Sequence, residues 1–384
     1  MYKKYFGYFN HRCICFCYNN IYEKVRNNNR SVFVRLNEQK ANELGYKFLP
    51  LQVEIDGKTY LDGTDDRLEI LKMIDKSERV LSSLPKLETI QRVVNEASKE
   101  YSDVIYLGIS SNLSGTAGAI RTMATELGNV YIMENHLIGD QITRTAEYLK
   151  NLYENHNYTI DQLYEELNWI NESVMNLIVP EKIDYMIKGG RLSGLKKFVL
   201  TKISMLPILS YEEDGSVKPK HLKRSVSKAV SKAIESIVEF CQSKAEHIDK
   251  DSKQKFVITF IHGIHEEINN MIYQNQYFKP TSEFLTPSVI AVHTGPEAIA
   301  LGVMPELIIN NEKNNRKEKN PEQQYTKLVN NIISTNETSN EEKKTYHKNS
   351  LIYVFAIISI LIIIAITVFL FVYLFKDGDS IILK

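Results

Sequence analysis

The chain is predicted to be an α/β protein of two lobes: a mostly parallel sheet lobe, then a second α/β lobe containing antiparallel strands. Three observations predict it. Near-continuous apolar runs of strand length alternate with stretches of helical periodicity, the signature of helix-linked parallel strands. The central run DVIYLGI (103–109) is near-continuously apolar, as a strand buried on both faces would be. In the middle of the chain, Asp214-Gly215 separates two strand-like runs by a turn signal, which predicts a hairpin.

The elements follow in order. KFLPLQVEI (47–55) reads as a strand that ends at Asp56-Gly57. Helical patterns are expected at 65–76, 86–101, 117–127, 136–154 and 159–172. Between them, NVYIM (129–133) and VMNLIV (174–179) read as further strands. ISMLPILSY (203–211) and SVKPKHL (216–222) form the expected hairpin. Helices at 225–245 and 263–275 flank KFVITFI (256–261), and SVIAVHT (288–294) reads as the last strand. There is no internal repeat.

The charge arithmetic divides the chain further. Its 384 residues carry 47 Lys+Arg and 47 Asp+Glu, a formal net charge of zero. A chain without a basic surplus is not a dedicated nucleic-acid binder. The zero is a cancellation: residues 1–30 carry +5, 31–310 carry −7, 311–350 carry +2 and 351–384 are neutral. The mean hydropathy of −0.26 likewise averages unlike parts. Leu351 to Phe375 is an uninterrupted apolar run of 25 residues. As a helix it is about 37 Å long, enough to cross a hydrocarbon core of about 30 Å. Tyr353 and Tyr373 lie near its ends, where interfacial aromatics belong. Lys343, Lys344 and Lys348 precede the run, against Lys376 and Lys384 after it, and the N-terminus lacks a continuous signal core. The expectation is a single-pass protein of the cell membrane with a cytoplasmic N-terminal body. The boundaries expected are a basic extension over 1–30, a body over 31–308, a polar tether over 309–350, the span over 351–375 and a short tail over 376–384. Within the body, lobe 1 takes residues from about 31 to 160 plus a C-terminal strand in about 286–308. Lobe 2 takes about 161 to 285.

Four cysteines are too few for a disulfide scaffold at this length. Cys13, Cys15 and Cys17 form a C-x-C-x-C run open to three readings: free thiols, acylation beside a membrane, or a metal site. Zinc normally asks for C-x2-C and a second ligand pair, and the sequence has no such pair.

Ligands in open α/β sheets bind beyond the carboxyl ends of strands. There the strand 103–109 runs into ISSNLSGTAG, which offers Ser110, Ser111, Ser114, Gly115 and Thr116 at a helix start. This pattern suits an anion site or a helix cap equally. Ser82-Ser83-Leu84-Pro85 stands before helix 86–101 in the same way and reads first as a cap. KGGRLSG (188–194) places Arg191 after two glycines, and HTGPE (293–297) places His293 at a strand end. No triad spacing, P-loop, G-x-S-x-G or His/Asp metal cluster is present in these loops, so no metal or cofactor is expected there.

Taken together and in this order, FLPLQVEIDGKTYLDG, SSLP, SSNLSGT, IKGGRLSG and HTGP resemble the DegV family of bacterial fatty-acid-binding proteins over about residues 31–308. The resemblance implies a two-lobed DegV-like fold with a long-chain fatty acid in a tunnel between the lobes. It implies that Ser82, Ser114 and His293 bind the carboxylate, with Gly115, Thr116, Arg191 and Arg224 in support. It also implies a carrier and not an enzyme, with a fatty acid kinase as partner. Three departures stand out. The opening Asp-Ser is missing from NNNRSVFVRLN, Leu206 replaces a lysine, and Glu297 replaces a glycine. They motivate the competing reading of a degenerate relative acting as a membrane scaffold.

Overall fold

The computed structural model describes residues 14–18, 22–27, 30–35, 41, 44–189, 205–247, 255–275 and 278–308. The expected tether, membrane span and Arg191 lie outside these residues, and no helix among the described residues is long and apolar enough to cross a membrane.

The first sheet is four-stranded and wholly parallel. It is built from β1 (Ile14–Tyr18), β4 (Tyr46–Phe48), β8 (Asp103–Tyr106) and β9 (Val130–Ile132) in the order β4-β1-β8-β9. The expected boundary at residue 31 is therefore corrected, because β1 lies inside the segment read as an extension. Its Phe16 pairs with Tyr46 on one side and Ile105 on the other. This strand, Ile14–Tyr18, precedes the segment NNNRSVFVRLN. The latter segment contributes β3 (Arg30–Arg35), which pairs antiparallel with β2 (Tyr22–Asn27).

Helices cover both faces of this sheet, which is why β8 is apolar and buried at Val104, Ile105 and Tyr106. Val104 and Tyr106 meet Ile90, Val94 and Ala97 of α2 (Leu87–Glu100) and Ile120 of α3 (Thr116–Ala124). On the opposite face Ile105 and Leu107 meet Leu149 and Tyr153 of α4 (Asp140–His156) and Leu163 and Leu167 of α5 (Ile160–Glu172). The capping box of Thr159 and Gln162 fixes the start of α5.

The single strand expected over 47–55 is two strands in two sheets. After Pro50 the chain enters β5 (Gln52–Ile55), which pairs antiparallel with β6 (Lys58–Leu61) and with β7 (Val80–Ser83). Proline has no amide hydrogen for a ladder, so a break there is unsurprising. Serines 82 and 83 are consequently strand residues and not caps. The helix that follows is capped at Lys86, which makes no side-chain cap bond. α1 (Arg67–Lys76) packs Ile70, Leu71 and Ile74 against this small sheet.

The second lobe is a six-stranded sheet in the order β12-β11-β10-β15-β13-β14. Its strands are β10 (Met175–Val179), β11 (Leu206–Tyr211), β12 (Val217–Lys223), β13 (Phe256–His262), β14 (Ser282–Leu285) and β15 (Ile299–Pro305). The hairpin of β11 and β12 is present, and all pairings but the parallel β13–β14 are antiparallel. α7 (Val226–His247) and α8 (Glu266–Tyr273) close one face over Leu177, Ile208, Phe260 and Leu301. The other face bears smaller apolar clusters around Ile138, Ile178, Leu209 and Phe284.

Two expectations about the C-terminus are corrected. Residues 288–294 form a helix, α9 (Ser288–Thr294), and the last strand is β15. β15 is buried at all seven positions and lies between β10 and β13, so it belongs to the second sheet and not to lobe 1. A seven-residue apolar run carries no decisive periodicity. The helix is set by Pro287 and by Asp62, whose buried carboxylate accepts from the Ser288 amide at 2.9 Å. The fold is α/β throughout, with parallel and antiparallel sheets in two lobes.

Candidate functional site

A cavity of about 110 Å3 opens where α1, β7, α9 and the short helix α6 (Asp184–Gly189) meet. Its apolar wall is Ile74, Val80, Leu81, Tyr185 and Val292; Ser77, Ser82, Glu78, Lys188 and His293 supply the polar groups. It is smaller than the ~150 Å3 cavity that accepts a benzene molecule.

Strand pairing positions Ser82 opposite Val53, and the alternation of β7 turns Ser82 and Leu81 to different sides. His293 comes from the last turn of α9, which stops at Gly295 with φ 93°. The Ser82 Oγ and His293 Nε2 atoms are 2.7 Å apart and share one proton. Each can present one donor to an anion that separates them. Gly189 makes this approach feasible: a Cβ there would lie 2.4 Å from His293 Nδ1, so no larger residue fits. Of the residues expected at the site, the structure brings these two into direct contact.

Ser114 does not line the cavity. It is half-buried, accepts from the Thr116 amide at 3.3 Å and lies 2.9 Å from the Thr116 hydroxyl, so it organises the start of α3. Its loop is nonetheless adjacent, because a Cβ on Gly115 would touch Leu84 just beyond β7 at 3.6 Å. The same loop is tied to the second lobe, a feature the sequence did not reveal. Ser110 donates to the Gly215 carbonyl at 2.6 Å and Asn112 to the Asp214 carbonyl at 2.5 Å. Behind it the buried His136 packs edge-on against Tyr211, and burial holds its imidazole below the ordinary pKa. Arg224 is exposed between β12 and α7, away from the cavity. Leu206 opens β11 opposite Lys223.

Glu297 is buried, and its carboxylate is bonded to Lys182. That bond, before any other cause, holds the Lys182 ammonium well above the usual lysine range. Lys182 also lies 3.4 Å from Asp75, which accepts from the Tyr185 hydroxyl at 3.4 Å. Burial, and next the charge of Glu297, push the Tyr185 phenol up to about 12.

The comparisons with known proteins agree with this architecture. A DegV domain-containing protein of Mycoplasmopsis pulmonis is 28% identical over 277 residues, covering 70% of this chain and 91% of the relative. One of Staphylococcus aureus is 25% identical over 260 residues, covering 67% and 90%. A fatty acid binding DegV family protein from Streptococcus agalactiae superposes with a TM-score of 0.62 at 21% identity, covering 77% of this chain and 99% of that one. DegV from Bacillus subtilis, described as a fatty acid binding protein, gives 0.61 at 19% identity with the same coverage. The solved structures share the fold. The model of the DegV family, described as uncharacterised, matches residues 33–306, from β3 through β15 and across the whole cavity, and on that match the chain belongs to the DegV family.

Proposed function

We propose that the protein binds one long-chain fatty acid and holds its carboxylate between Ser82 and His293. The observation that carries this reading is their 2.7 Å contact in a cavity whose wall also includes Ile74, Val80, Leu81 and Val292. The acyl chain runs into the apolar seam around Ile138, Ile178 and Leu209, and each buried CH2 contributes about 0.8 kcal/mol. Ser114, on the neighbouring loop, turns its hydroxyl from Thr116 to the ligand as the third donor, and Gly115 and Thr116 hold that loop. The chain is a carrier: it performs no bond chemistry and presents the carboxyl group to a partner such as a fatty acid kinase. The apolar run 351–375 tethers it in the cell membrane with the body in the cytoplasm, beside its lipid source. The fatty-acid-binding members of the family and their common fold support this assignment.

Mass spectrometry of lipid released from the denatured full-length chain tests it. The expected result is a long-chain fatty acid near one equivalent. An empty protein that also takes up neither palmitate nor oleate would sink the reading in favour of a scaffold.

A further inference from the structure

Glu297 places a second carboxylate one side chain behind the wall of a site built for a carboxylate. A Cβ on Gly295 would lie 3.3 Å from Glu297 Oε2 and 3.0 Å from the ring of Tyr185, and Tyr185 lines the cavity. Glu297 is only 6% exposed, so water screens its charge poorly. Its Oε2 has no hydrogen-bond partner among the described residues, while Lys182 is bonded to Oε1. Lys182 reaches it from just before α6 and lies 3.4 Å from Asp75 at the end of α1. Two side chains near this cluster, Ile74 and Tyr185, form cavity wall.

We infer that Lys182 is a specificity-determining residue: it neutralises Glu297 and thereby lets the cavity prefer an ionised carboxylate over a neutral polar headgroup. This rests on the proposed fatty-acid reading. Glycine at position 297 would need no such cation. With glutamate there, an unpaired Glu297 repels the incoming anion and leaves a neutral ligand unaffected. Glu297 Oε2 and the ring of Tyr185 lie within 3.3 Å of the same point above Gly295, so the carboxylate stands directly behind a wall residue.

The test is competitive uptake of palmitate against hexadecanol by the purified full-length chain, read as a ratio so that partitioning into detergent cancels. Lys182→Met should lower the palmitate preference about tenfold, the size of one charge interaction over about 12 Å at an effective dielectric of about 20. Glu297→Gln should keep or raise it. The double variant Lys182→Met/Glu297→Gln should restore it, which also controls for misfolding of the single variant. An unchanged ratio in Lys182→Met overturns the inference, as does equal loss of both ligands or failure of the double variant to recover. A wild-type chain that takes up neither ligand overturns the fatty-acid reading itself and this inference with it; wild-type uptake with an unchanged variant overturns only the role of Lys182.

Discussion

Replacing Ser82 by alanine isolates the proposed carboxylate contact. In the resting site Ser82 and His293 satisfy each other at 2.7 Å, a neutral hydrogen bond worth about 0.5–1.5 kcal/mol net. An arriving carboxylate breaks that bond and accepts one from each group, and bonds to a charged partner are worth about 1.5–3 kcal/mol. Ser82→Ala removes one charged bond and also the neutral bond that the ligand had to displace. The difference leaves a loss of about 1–2 kcal/mol, or about 5- to 30-fold in affinity. Stability should barely change, because Ser82 is only half-buried on β7, at the edge of its sheet. Ser83 is the internal control. It is exposed, bonds to Gln52 at 3.4 Å and lies on the other side of β7. Retention of labelled palmitate by the full-length chain is the assay. Wild-type affinity in Ser82→Ala, or an equal loss in Ser83→Ala, would refute the reasoning.

Other perturbations address the frame around the site. Gly189→Ala sets a methyl 2.4 Å from His293 Nδ1, so palmitate retention should fall at least as far as in Ser82→Ala; retained affinity would show that His293 is not held there. Gly302→Ala in β15 sets a methyl 2.2 Å from Asn176 Oδ1, against the buried Asn176–Gln141 pair, and should destabilise the fold by about 1–3 kcal/mol in denaturant melts. Burial holds His136 below its usual 6.5, so between the two values the unfolded chain takes up a proton that the folded chain does not. Stability is complete above about 6.5 and declines as pH falls toward the folded value. The melting temperature should therefore drop between about pH 7.5 and 5.5, and drop less in His136→Phe, which keeps the ring beside Tyr211.

The α/β class, the hairpin of β11 and β12, and most helices could be read from the chain because their periodicities are long and local. What escaped the reading depended on distant partners. ICFCY is five residues among cations and asparagines, and only its pairing with Tyr46–Phe48 and Asp103–Tyr106 makes it the inner strand of a sheet. SVIAVHT is apolar enough for either conformation, and the cap that decides it comes from Asp62, 226 positions earlier. Ser82 and His293 were legible as motif residues, but not the contact between them across 211 positions. Glu297 stood out as a departure from the family pattern, whereas Lys182, its counter-ion 115 positions away, gave no signal at all.

The central claim is that a fatty-acid carboxylate occupies the place between Ser82 and His293. The most direct measurement is the carbon-13 resonance of carboxyl-labelled palmitate bound to the full-length chain. The account predicts one bound signal displaced from that of free palmitate, which shifts again in Ser82→Ala and in His293→Gln while the acyl chain stays bound. A bound signal indifferent to both substitutions would place the carboxylate elsewhere and contradict it.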